Sequence, residues 1–156
     1  YRFIPENNSI IALGAADLAY RRIEPHLSDY MGKIFEDICT QYLWRLLLDG
    51  ESPILFGNLG RWWGTDPSTR SQTEIDIMGE QDKDTAVFGE CKWINENVDT
   101  GVLNTLVKRS RMFSYQKTHL YLFAKKGFTK GCIDAAKELG NVTLVTYHQI
   151  CSRAAG

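Results

Sequence analysis

Asp76, Glu90 and Lys92 lie in SQTEIDIMGEQDKDTAVFGECKW (71–93), where charges interrupt two runs that otherwise read as buried strands. An unpaired charge in such a place costs on the order of several kcal/mol unless an opposite charge or a metal compensates it. Period two puts Glu74 and Asp76 on one face of the first run, and Phe88, Glu90 and Lys92 on one face of the next. A hairpin across residues 79–86 would bring Asp76 and Glu90 together, with Lys92 beside them. Two carboxylates that close repel, and one pKa rises unless a cation stands between them. A divalent ion resolves the conflict, and two carboxylates with water suit Mg²⁺, with Mn²⁺ as a substitute. A protonated lysine does not ligate a hard cation. Its work there is to orient a water or to neutralise charge growing on a phosphate.

Glu36 is a further acid to place. Its neighbours at i+3, i+7 and i+11 are Cys39, Leu43 and Leu47, so it runs along a mostly apolar helix flank. One reading pairs it with Lys33, three residues back. The other sends it toward the strand acids as a direct or outer metal ligand. Charge is also unevenly spread: residues 74–99 hold eight acids and two bases, whereas 100–133 hold seven Lys and Arg and no acid. A solvated helix face accounts for the second stretch. So does a phosphate-attracting surface carried by Lys108, Arg109 and Arg111 beside an acidic metal site.

The elements that must position these residues follow from periodicity. A short helical stretch over 11–23 ends at Pro25, and Ser28 caps a strong helix from Asp29 that closes at Asp49-Gly50. Strands are expected at 54–64, 71–80 and 85–94, the last two joined by a turn. A helix over 99–114, a buried strand at 119–124, a helix over 130–139 ending at Gly140, and a strand at 142–147 complete the order α-β-β-β-α-β-α-β. The class is α/β, a mixed sheet flanked by helices.

At 156 residues the chain is long enough for a real core. With 44% hydrophobic and 24% charged residues it has the composition of a soluble globular protein, without an apolar run of membrane-spanning length. The four cysteines form no C-x-x-C pair, and Cys39 and Cys91 fall in apolar runs, which points to buried free thiols in a reducing, cytoplasmic compartment. Residues 1–27, opening YRFIPENNSI without an initiator Met, read as a lead-in from a preceding part, and 28–156 as the domain proper.

Asp76 followed by Glu90-Cys91-Lys92 (D-x13-E-x-K), with a helix acid at Glu36 ahead of them, resembles the PD-(D/E)xK nuclease superfamily. That resemblance implies a restriction-endonuclease-like α-β-β-β-α-β core, the order read above. The proline that names the motif is replaced by Ile75, as in many members. A closer resemblance covers nearly the whole chain: YRFIPENNSI, EPHLSDYMGKIFEDIC, GRWWG, TEIDIMG, GECKW and YLFAKKGF are similar to the C-terminal domain of archaeal-type AAA+ ATPases. There the domain follows a P-loop ATPase module and a winged helix. No G-x-x-x-x-G-K-[ST] occurs here, so the ATPase is expected in an N-terminal module of the same protein.

By that resemblance Asp76, Glu90 and the Cys91 carbonyl ligate Mg²⁺, Glu36 completes the shell, and Lys92 assists the attacking water. The implied reaction is phosphodiester hydrolysis, with nucleic acid (DNA foremost) as partner, no membrane, and a homo-oligomer where both strands are cut. A retired nuclease fold serving as a binding or interaction module is the alternative. Trp62 and Trp63 either stack on bases or pack in the core.

Overall fold

A computed structural model describes residues 4–154, the side chain at position 25 excepted. The first three residues of the expected lead-in and residues 155–156 lie outside that range. The chain divides into two compact units, Tyr1–Ile34 and Phe35–Gly156. In the first, a 3₁₀ turn (Pro5–Asn7) leads into the short helix α1 (Asn8–Ala12), and Gly14 turns the chain at φ +74°.

Helix α2 (Ala16–Leu48) corrects the expected break at Pro25, because the helix runs through that position and no new helix begins at Ser28. A proline inside a helix removes one backbone hydrogen bond and costs about 3 kcal/mol, which favours a stop on local grounds but does not enforce one. In the second unit, Phe35, Cys39, Leu43 and Leu46 recur on one buried stripe of α2. The end of α2 was legible. Gly50 adopts φ +74°, its N–H bonds Leu47 O, and Glu51 N–H reaches back to Leu46 O.

Five strands form one mixed sheet in the order β1-β2-β3-β4-β5: β1 (Gly60–Thr65), β2 (Gln72–Asp82), β3 (Thr85–Lys92), β4 (Lys117–Ala124) and β5 (Val142–Thr146). β1–β2 and β2–β3 are antiparallel, whereas β3–β4 and β4–β5 are parallel. The parallel pairs need crossovers, supplied by α3 (Thr100–Ser110) and α4 (Lys130–Leu139). Asp99 caps α3 by accepting from Val102 N, Thr129 caps α4, and Gly140 at φ +75° ends it. The sheet separates two cores. Tyr121, Phe123, Val87 and Ile77 pack with α2, while Leu120, Phe88, Ala86 and Ile75 pack with Leu106 of α3. Both faces of β4 are covered, which is why 120–124 reads as an unbroken apolar run.

Two expectations are corrected here. Residues 54–59 form a loop, not the start of β1. Ile54 and Phe56 enter the core from it, Leu55 is exposed, and Gly57 N–H bonds Glu80 O of β2. A terminal helix, α5 (Tyr147–Ala154), follows β5 without a gap. Its signal was present as a capping box: Thr146 Oγ1 accepts from Gln149 N, and Gln149 Oε1 accepts from Thr146 N.

Candidate functional site

The site is built where β2 and β3 part. Their ladder ends at Ile77↔Gly89, so Asp76 and Glu90 are the next residues outward on the two strands. On its other edge β2 pairs β1 through Gly60↔Met78 and then Trp62↔Ile75, which leaves Arg61 opposite both Asp76 and Ile77. That one-residue bulge breaks the alternation expected along β2. Ile75 and Ile77, two apart, enter opposite cores, so period two does not govern Glu74 and Asp76. β3 keeps its alternation, and Phe88 and Glu90 both face α3.

At the bulge the Asp76 carboxylate takes the place of a ladder partner, with Oδ2 accepting from the backbone N–H of Cys91 at 2.8 Å. Burial, then the charge of Glu90, push Asp76 up to about 6, against the pull of the Cys91 N–H. Glu36 adds to the upward push and Lys92 opposes it.

Glu90 is buried, and both of its oxygens are engaged. Lys92 Nζ donates to Oε1 at 2.7 Å and Arg109 Nη1 to Oε2 at 2.9 Å. Burial pulls the Lys92 ammonium down, but its hydrogen bond to Glu90, with the charges of Glu90 and Asp76, leaves its pKa raised. Lys92 is therefore a fixed cation.

Glu36 accepts from Arg61 Nη2, an ion pair across from α2 to β1; the expected alternatives were Lys33 and the strand acids. Arg61 also lies 4.0 Å from Glu74. Among the described residues, no three His, Cys, Asp or Glu side chains converge as a metal shell. Two carboxylates, Asp76 and Glu90, stand at this point, a donor set of the kind hard divalent cations use, although both Glu90 oxygens already accept from Lys92 and Arg109.

Lys108, Arg109 and Arg111, at the end of α3, point different ways. Lys108 reaches Asp66 at 3.4 Å and remains largely exposed, Arg109 turns inward to Glu90, and Arg111 is exposed at the helix end. Sequence reasoning missed the inward role of Arg109, although its place three residues after Leu106, on the buried side of α3, was a signal. It also missed Arg61 as the partner of Glu36. Trp62 is half-buried against Phe113, whereas Trp63 is 74% exposed. Cys39 is buried and Cys91 half-buried, both as free thiols. No helix among the described residues is long and apolar enough to cross a membrane.

With the geometry in place, comparison with known proteins gives three findings. No solved structure matches the chain. Uncharacterized protein MJECL04 of Methanocaldococcus jannaschii is 32% identical over 94 residues, 60% of this chain, and the aligned part is 20% of that relative's length. The model of the DUF234 family, described as archaeal and bacterial proteins of unknown function, matches residues 1–103, a span that holds Glu36, Asp76, Glu90 and Lys92 but stops short of Lys108 and Arg109. Two thirds of the chain lie within that match, and the chain belongs to the DUF234 family.

Proposed function

We propose that this domain hydrolyses phosphodiester bonds in nucleic acid, DNA foremost, with Mg²⁺ or Mn²⁺ held by Asp76 and Glu90. The carrying observation is the placement of Asp76 and Glu90 as the next residues outward where the β2–β3 ladder ends, with Lys92 Nζ 2.7 Å from Glu90 Oε1. A bound divalent ion supplies Lewis-acid polarisation of the phosphate and a more acidic water. Asp76, oriented by the Cys91 N–H, and Glu90 are the residues that would hold the ion. Lys92 keeps its proton and neutralises charge on the phosphate. The element order α-β-β-β-α-β supports a restriction-endonuclease-like core, and the resemblance to AAA+ ATPase C-terminal domains supports a motor module on the same polypeptide. Cleavage of a mixed nucleic-acid panel in Mg²⁺ or Mn²⁺, lost in Lys92→Ala, is the test.

A second reading is favoured by a different observation. Glu90 is saturated by Lys92 and Arg109, and Glu36 by Arg61, so the acids are neutralised from within the fold. That arrangement supports a retired nuclease fold that binds nucleic acid or a protein partner. Absence of cleavage across the panel, with nucleic-acid binding kept, selects it.

A further inference from the structure

Trp63 stands apart from the other aromatic residues of the second unit. It is 74% exposed on the edge strand β1, while its neighbour Trp62 packs edge-on against Phe113 at 5.0 Å. Tryptophan is rarely left this open, because its large ring gains much from burial. Beside it runs a cleft of about 350 Å³ lined by Trp63, Gln72, Thr73, Glu74 and Arg109. Glu74 is the cross-strand partner of Trp63. Arg109 forms the wall shared with the candidate site, since its guanidinium holds Glu90 Oε2.

We propose that Trp63 is the stacking platform for one unpaired nucleobase, so that the substrate is single-stranded nucleic acid or a frayed end. The proposal rests on reading Asp76 and Glu90 as a phosphodiester site. A base inside a duplex already has both faces stacked, and an open indole serves a base that has left the duplex. Gln72, Thr73 and Glu74 offer donors and acceptors to that base's edge. The Glu74 carboxylate repels a phosphate and accepts from an exocyclic amino group, as carboxylates do from cytosine N4. The cleft therefore takes a base, and the adjoining phosphate lies toward the candidate site, with Arg109 on the wall between them. Amino-bearing bases are favoured over thymine.

The test uses the Asp76→Asn chain, which binds without consuming substrate, and fluorescence anisotropy with oligo-dC, oligo-dT and a blunt duplex in Mg²⁺. The expected result is tighter binding of oligo-dC than oligo-dT. Trp63→Ala, made in the same chain, weakens single-strand binding by roughly tenfold, and Trp63→Phe restores most of it. Duplex binding and melting temperature stay unchanged, and quenching of indole emission on binding shrinks in Trp63→Ala. The proposal is overturned if no single strand binds, if Trp63→Ala binds as its parent does, or if single- and double-strand binding fall equally. Cleavage by the wild-type chain separates the two ideas. Trp63-dependent binding without any cleavage leaves the platform standing and removes the phosphodiester reading. Cleavage indifferent to Trp63→Ala removes the platform and leaves the phosphodiester reading.

Discussion

Cys91 donates its backbone N–H to Asp76 Oδ2 at 2.8 Å, at the point where the β2–β3 ladder stops. One hydrogen bond does not offset the burial and neighbouring charge around that carboxylate, and its pKa rises from the usual 3.8 of an aspartate to about 6. Between those two values the folded chain binds more protons than the unfolded one, so stability from this group falls as pH rises through about 6. Above that the full penalty is present, of order 3 kcal/mol. In chelator, the wild-type chain should therefore gain stability relative to Asp76→Asn as pH drops from 7.5 to 5, and at pH 7.5 the variant should be at least as stable. Denaturant unfolding of both chains across that range checks the slope. A constant difference between them contradicts the assignment.

Glu90 and Arg109 give a second prediction. Glu90 is 4% exposed, and removing one of its two cations leaves a buried charge half-compensated. Arg109→Ala should lower unfolding free energy by about 2 kcal/mol, less than full loss of a buried pair because Lys92 remains. Adding Glu90→Gln should cost less than the sum of the two single changes. Strict additivity in the four-chain cycle is the outcome that breaks the pairing.

Much of this was open to sequence reading, and the failures have physical causes. β4 and α4 were legible because the Leu120–Ala124 run is covered on both faces and because Thr129 and Gly140 mark the ends of α4. The bulge at Asp76 was not, because a register slip depends on where Gly60 and Trp62 pair, and no local pattern in β2 encodes that. The continuity of α2 through Pro25 was hidden by a strong local breaker. For the site, the identity of the acids could be read, but not their partners. Arg61 and Glu36 are 25 residues apart, and Arg109 and Glu90 are 19 apart, so only the tertiary fold brings them together.

The split among the α3 cations bears on nucleic-acid affinity. Lys108 and Arg111 are exposed, whereas Arg109 is committed to Glu90. Charge reversal at Lys108 or Arg111 should weaken binding to all sequences and lower the slope of log affinity against log salt by about 1 each. Melting temperature should hardly move for Arg111 and should fall modestly for Lys108, whose reversal sets an acid beside Asp66. Arg109 reversal should instead destabilise the fold. Salt titrations of the three variants tell the classes apart, and equal salt slopes for wild type and the Lys108 and Arg111 variants refute the surface.

The last prediction separates a working site from a retired one through metal alone. A divalent ion bound only by the folded chain raises stability by RT ln(1 + [L]/Kd), about 2.7 kcal/mol at a hundredfold excess over Kd. To bind, it must draw Glu90 away from a competing cation, either Lys92 at 2.7 Å or Arg109 at 2.9 Å. Lys92→Ala removes one competitor without touching a ligand, so its Mn²⁺-dependent shift in melting temperature should equal or exceed that of wild type while cleavage is lost. Asp76→Asn removes a charged ligand, and its shift should largely vanish. Glu36→Gln should keep most of the shift, because Glu36 is held by Arg61 and not by the strand acids. Thermal melts of the four chains with and without millimolar Mn²⁺, run beside the cleavage panel, give the ordering Lys92→Ala ≥ wild type > Glu36→Gln ≫ Asp76→Asn. A wild-type chain with no metal-dependent shift sinks the two-carboxylate site and leaves the binding module as the function of this fold.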